Sequence, residues 1–246
     1  MQDDTRRRAT RGVAGLGVLA LGALAAAEAA AVRRVRRVED RGGRDHTAAV
    51  GEGVGEPLGL VLLGDSAVDG HGLDTHDALP WQLATRVAAA TGRRVRVRSL
   101  AVNGATTSDV AAFQVPLLRA SGQVDAVLVG VGVNDVLRRT PPAALEEATL
   151  QLLAGVRQAA PGAWLAVATC PDLSRAPGLG PVLRRVVGRR CRAVARRQQR
   201  LLSEQGIPAV ATEDVPAPGL FGPDGLHPGT DGLAVLAALA ATALVG

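Results

Sequence analysis

The sequence predicts an α/β protein, a three-layer α/β/α sandwich around a mostly parallel five-stranded sheet of flavodoxin-like type, on three observations. From residue 58 onward, short apolar runs alternate strictly with longer amphipathic segments, a pattern that calls for right-handed crossovers and a sheet covered on both faces. The runs are continuously apolar rather than alternating, as in strands buried on both sides. Three of them stop abruptly on glycine and polar residues: Gly59 to Leu63 ends on Gly64-Asp65-Ser66, Val95 to Leu100 leads into Ala101-Val102-Asn103-Gly104, and Ala126 to Val131 into Gly132-Val133-Asn134-Asp135. In open α/β sheets, ligands bind at the carboxyl ends of such strands.

The chain opens on Arg6, Arg7, Arg8 and Arg11, followed by Gly12 to Val32, apolar but for Glu28, and then by Arg33, Arg34, Arg36 and Arg37. A basic start, an apolar middle and Ala25-Ala26-Ala27 suit a signal peptide. Arginines directly after the run suit a retained anchor instead, and an Ala-rich soluble helix is the third reading. Residues 1–38 are therefore expected to associate with a membrane or direct export to the cell envelope, with sidedness left open by two basic flanks. Residues 39–57, rich in Gly and charge, read as a linker, and the folded domain, 58–246, begins near Leu58.

Within that domain the first strand is followed by a polar loop, Ala67 to Asp77, and a helix from Leu79 to Thr91. After the strand Val95–Leu100 a short helix spans Thr107–Ala120, then comes the strand Ala126–Val131. Pro141-Pro142 open a helix running to Ala159, because proline is tolerated at the first helical turn. A fourth strand, Ala163–Thr169, a long helix, Pro181–Gln205, a fifth strand, Ile207–Ala211, and a closing helix, Thr230–Val245, complete the alternation. Leu183, Val187, Cys191, Val194 and Leu201 form the long helix's apolar stripe, with arginines largely off it, a solvated basic face or one suited to anionic lipid.

A length of 246 residues accommodates one such domain plus the N-terminal segment. Apolar residues make up 47% and aromatics 2%, with no tyrosine, so the core must be packed from Ala, Val and Leu. All 28 basic residues are arginine and the net charge is +5. With so few aromatics and no recognisable motif, a nucleic-acid partner is not expected. Cys170 and Cys191 make neither a disulfide framework nor a zinc site and read as small buried apolar groups.

Taken singly, the polar termini are ordinary. Gly64-Asp65-Ser66 has turn composition, Asn134-Asp135 suits a helix cap, and Asp224 and His227 suit a turn before the last helix. The meeting of these segments on one sheet edge is what points to chemistry: a hydroxyl, a base, a carboxylate and oxyanion donors. A three-residue separation lets Asp224 reach the imidazole Nδ1–H of His227 while Nε2 faces a serine. His71 and His76 with Asp69, Asp74 and Asp77 form a second His/carboxylate cluster, but in a Gly-rich loop without metal-ligand spacing, so they read as solvated residues at the site mouth. No metal and no cofactor is assigned.

On these residues the chain resembles the SGNH hydrolases, also called GDSL-type lipases/esterases. The four family blocks stand as Gly64-Asp65-Ser66, Asn103-Gly104-Ala105-Thr106, Gly132-Val133-Asn134-Asp135 and Asp224-Gly225-Leu226-His227-Pro228, spanning the chain from about Leu58 to its end. One departure is Ala67 in place of a leucine after the serine, which leaves the reacting groups untouched. The resemblance implies Ser66 as nucleophile, His227 as general base and then acid, and Asp224 as the carboxylate fixing its tautomer. The backbone amides of Ser66 and Gly104 and the side-chain amide of Asn134 are the expected oxyanion donors. The expected activity is cofactor-free hydrolysis of carboxylic esters with short acyl chains through an acyl-serine intermediate. A thioesterase or lysophospholipase of the same family, or a non-catalytic ligand-binding module, is the alternative, and the expected partner is a small-molecule or lipid ester.

Overall fold

The computed structural model describes residues 22–23, 26, 46–211 and 220–246. Apart from residues 22, 23 and 26, the expected membrane-associated segment lies outside the described residues. Among those described, no helix is long and apolar enough to cross a membrane.

Six strands make one sheet: β1 (Thr47–Val50), β2 (Leu58–Gly64), β3 (Val95–Ser99), β4 (Ala126–Gly130), β5 (Trp164–Ala168) and β6 (Ala209–Val210). Their order is β1-β3-β2-β4-β5-β6. Strands β2 to β6 run parallel, while β1 pairs antiparallel with β3 at one edge. The five parallel strands were expected; β1 was not, and it occupies part of the expected linker. Its four residues are too few to carry a periodic signal. They become a strand only through pairing with β3, from Thr47 opposite Arg98 to Val50 opposite Val95.

One reversal of strand order places the site. The chain leaves β2 for β3 on one side and later returns to β4 on the other, so the order reverses beside β2. This is where doubly wound sheets open a crevice. Strand β2 is fully buried and splits its side chains by the two-residue period. Leu58, Leu60 and Leu62 join a cluster with α2 (Leu79–Thr91) and α7 (Thr230–Val245). Val61 and Leu63 join the opposite cluster with α5 (Pro142–Ala159) and the end of α6 (Pro181–Glu204). Between β3 and β4 lies α3, built of Thr107–Asp109, a π turn at Val110–Gln114, and Val115–Leu118. Two short helices follow strand ends directly, α1 (Ser66–Asp69) after β2 and α4 (Val133–Arg138) after β4. A third apolar cluster, with Leu173, Ala176, Val187 and the free thiols Cys170 and Cys191, packs α6 beneath the loop after β5.

Leu128, in β4, is fully buried at the centre of the sheet. Leu128→Ala is expected to lower stability by about 2–5 kcal/mol through lost burial and a residual cavity, measured as a drop in the urea midpoint with an unchanged slope.

Candidate active site

Strand β2 ends at Gly64, and the chain must then turn sharply to present Ser66 while keeping Asp65 buried. A buried side chain completes the strand's hydrogen bonding at that point. The Gly64 N–H donates to Oε1 of Gln114 at 2.8 Å, and Gln114 Nε2 donates back to the Gly64 carbonyl at 2.8 Å. Gln114 closes the π turn of α3, a local widening of the kind that recurs at functional sites. Asp65 then caps α1, its Oδ1 accepting from the Ala67 N–H at 3.0 Å, and Ser66 becomes the first residue of the helix. The Ser66 N–H makes no hydrogen bond among the described residues, as expected of an N-terminal helix amide.

His227 reaches Ser66 from the far end of the chain. Its Nε2 lies 3.0 Å from Ser66 Oγ, and its Nδ1 lies 2.5 Å from Asp224 Oδ2. The second carboxylate oxygen accepts from the Leu226 N–H at 2.9 Å and the His227 N–H at 3.0 Å. Burial pushes the Asp224 carboxyl up, but the His227 side chain and these two backbone amides outweigh it and hold the group at about 2. An ionised carboxylate can only accept, so the Nδ1 proton stays on the imidazole and Nε2 is left to accept from the serine hydroxyl. The turn carrying both residues is pinned by backbone bonds from Gly178 N–H to the Gly225 carbonyl (2.8 Å) and from Gly222 N–H to the His227 carbonyl (2.8 Å).

The other two blocks converge on the same rim. Gly104 has φ +79°, a conformation that favours glycine. Its carbonyl accepts from Arg138 Nη2 at 2.9 Å, while its N–H makes no hydrogen bond among the described residues. Asn134 is buried, and Nδ2 donates to Asp65 Oδ2 and to the Ala105 carbonyl, both at 3.0 Å. Both amide protons are thus already engaged, and one bond must be exchanged before Asn134 donates to a substrate. Its neighbour Asp135 does not cap its own helix through the side chain. Its Oδ2 accepts from the N–H (3.0 Å) and Oγ1 (2.8 Å) of Thr107, tying the loop after β4 to α3.

An apolar cavity of about 130 Å³ opens beside Ser66 and His227, walled by Val68, Val131, Ala168, Leu173, Phe221 and Leu236. Of the second His/carboxylate cluster, Asp74 and His76 are exposed as expected, and Asp69 is the departure. Asp69 is buried at the end of α1, where its carbonyl accepts from His46 Nε2 at 2.8 Å, because the start of β1 packs over it. His71 lies against His227 with ring centroids 4.6 Å apart, and Asn103 Nδ2 is 3.3 Å from its Nδ1. Residues that sequence reasoning missed share one trait, a polar side chain on a buried helix face. Gln114 is one. Gln198 of α6 is another, donating to the Val131 carbonyl at 3.0 Å and accepting from the Cys170 N–H at 2.8 Å. A glutamine interrupting an apolar stripe was the available signal in both.

Comparison with known proteins bears on the family and the fold. The GDSL-like Lipase/Acylhydrolase family matches residues 62–235. The GDSL-like esterase Rv1075c of Mycobacterium tuberculosis (strain ATCC 25618 / H37Rv) is 29% identical over 195 residues, which are 75% of this chain and 61% of that protein. The chain thus spans about three-fifths of that relative's length. Among solved structures, TesA aligns with a TM-score of 0.58 at 24% identity, covering 74% of this chain and 95% of TesA. Est24, a carbohydrate acetylesterase from Sinorhizobium meliloti, aligns with a TM-score of 0.62 at 15% identity, covering 75% and 97% of the two chains; both likenesses concern the fold. With the family match spanning all four blocks through His227, the chain belongs to the GDSL-like lipase/acylhydrolase family.

Proposed function

We propose that the protein is a serine hydrolase of carboxylic esters with short acyl chains, acting through an acyl-serine intermediate. The observation that carries the reading is the continuous chain of hydrogen bonds from Asp224 through His227 to Ser66 Oγ, with the unspent N–H groups of Ser66 and Gly104 on the same rim. In this mechanism Ser66 Oγ attacks the ester carbonyl carbon as its proton passes to His227 Nε2. Asp224 stabilises the imidazolium that results. The carbonyl oxygen gains negative charge, which the Ser66 and Gly104 amides receive, joined by Asn134 once it exchanges one of its bonds. His227 then returns the proton to the departing alcohol, and water repeats the sequence in reverse to free the acid.

The small cavity beside the hydroxyl supports the short acyl chain. The acetylesterase among the structural neighbours is in keeping with that size. Association with a membrane through residues 1–38, and location at the cell envelope, belong to the same proposal and rest on the apolar run between two arginine clusters.

A series of p-nitrophenyl esters from acetate to palmitate tests the reaction and the chain length together. Maximal kcat/KM is expected at acetate or butyrate, and Ser66→Ala is expected to lower kcat by about 10⁴-fold or more. A rate that survives Ser66→Ala eliminates the acyl-serine route, and a maximum at long chains eliminates the short-acyl reading.

Gln114→Met keeps the volume of the side chain and removes both of its bonds to Gly64. The Gly64 carbonyl still accepts from the Val102 N–H at 3.0 Å, but the buried Gly64 N–H is left unpaired, at an expected cost of about 1–3 kcal/mol of stability, with kcat falling roughly tenfold at unchanged KM as Ser66 loses its alignment. An unchanged kcat in the folded variant would show that Gly64 needs no such support.

The carboxyl of Asp224 sits at about 2 in the fold, below the ordinary value of about 4. The unfolded chain therefore binds more protons between these values, so the carboxylate's stabilising effect is complete above about pH 4 and is lost as pH falls through about 2. Melting curves from pH 6 to pH 2 should show a steeper acid loss for the wild type than for Asp224→Asn. Identical slopes would contradict the assignment. The same variant is expected to lose about 10⁴-fold in kcat at pH 7, because it permits the wrong imidazole tautomer.

A further inference from the structure

Arg175 lines the cavity that holds Ser66 and His227 and meets no counter-charge among the described residues. It stands on the 3₁₀ turn Leu173–Arg175, directly after β5. The turn is rigidly held. The Asp172 side chain caps it by accepting from the Ser174 N–H at 2.8 Å, and Leu173 and Ala176 are buried on either side of Arg175. Its back lies against α6 so closely that a Cβ added at Gly188 would stand 2.5 Å from Ser174 Cβ. Arg175 itself is exposed at the mouth of the cavity and makes no hydrogen bond or ion pair among the described residues.

The adjacent acid is not available to it. Asp172 Oδ2 accepts from Arg192 Nη1 at 2.7 Å, and Oδ1 is held by Ser174. Burial works against its charge, yet the Ser174 amide and the Arg192 guanidinium outweigh burial and hold the carboxyl below its ordinary range. Asp172 and Arg192 therefore cancel, and Arg175 is left as the net charge of this wall. The other lining carboxylate, Asp65, is buried and spent on Ala67 and Asn134. Past the mouth the walls are apolar.

We infer that the ester this site takes carries an anionic group, a carboxylate or a phosphate, which Arg175 binds at the mouth while the apolar part of the molecule occupies the cavity beside Ser66. A guanidinium presents paired N–H donors that match either oxyanion in bidentate fashion. Close to a low-dielectric wall, its charge acts with less screening than on open surface. The inference rests on the esterase reading, and it makes Arg175 a specificity-determining residue rather than part of the reacting set.

Matched ester pairs test it on the full-length protein. Mono-p-nitrophenyl adipate against p-nitrophenyl methyl adipate places the charge on the acyl side. Butyrylglycerol 3-phosphate against butyrylglycerol places it on the alcohol side. At low salt the wild type is expected to favour the charged member of at least one pair by about tenfold in kcat/KM, through KM. Arg175→Gln is expected to abolish that preference while leaving the neutral members unchanged, and 0.5 M salt should weaken it in the wild type. The pair that responds identifies which side of the ester bears the charge. Equal rates within both pairs, or a preference that survives Arg175→Gln, overturns the inference, while neutral esters cleaved by wild type and not by Ser66→Ala keep the esterase reading intact. If the wild type cleaves no member of either pair, the esterase reading falls, and this inference with it.

Discussion

The contact between His227 Nε2 and Ser66 Oγ joins residues 161 positions apart at 3.0 Å, and the placement of almost every other element serves it. A hydrogen bond between two flexible turns would lose its geometry to chain entropy. Here each turn is over-determined. Ser66 stands at the end of a strand buried on both faces, on a helix capped by Asp65. His227 stands on a turn whose carboxylate, backbone and neighbouring glycines all bond to one another. The entropic cost is met by the core and by these local bonds, so the hydroxyl and the imidazole are already aligned in the free protein.

The polar groups of the rim form a cross-braced set. Gln114 braces the end of β2 and Gln198 the ends of β4 and β5, while Asn134 and Asp135 link the loops after β2, β3 and β4. Each donor or acceptor in this set is buried, where an unpaired polar group costs several times what a satisfied one contributes. Such a set is stiff because breaking any one bond leaves its partner exposed to that cost. The same logic explains why Asn134 is engaged before substrate arrives. In the proposed mechanism, exchanging its bond to the Ala105 carbonyl for one to an oxyanion would replace a neutral acceptor with a charged one, a gain that appears only as charge develops.

Charge is arranged differently at the two walls of the cavity. Near the hydroxyl, every ionised group has its partners, with Asp224 held by His227 and by two amides, and Asp65 by Ala67 and Asn134. Toward the mouth, the Asp172–Arg192 pair closes on itself, and Arg175 meets no counter-charge among the described residues.

By itself the sequence determined the layered α/β architecture, because continuous apolar runs alternating with amphipathic segments admit few other burial schemes. It also determined which residues follow the strand ends, Ser66, Gly104 and Asn134, and which precede the last helix, Asp224 and His227, since the blocks are local and each lies within a few positions. Beyond the reach of local pattern were β1, whose four residues take strand form only by pairing with β3, the burial of Asp69 against His46, and the roles of Gln114 and Gln198. Those features are set by which surfaces meet across long stretches of chain. A glutamine on an apolar helix face acquires its partners only when the strand end it completes has been brought beside it, and that is decided by tertiary packing alone.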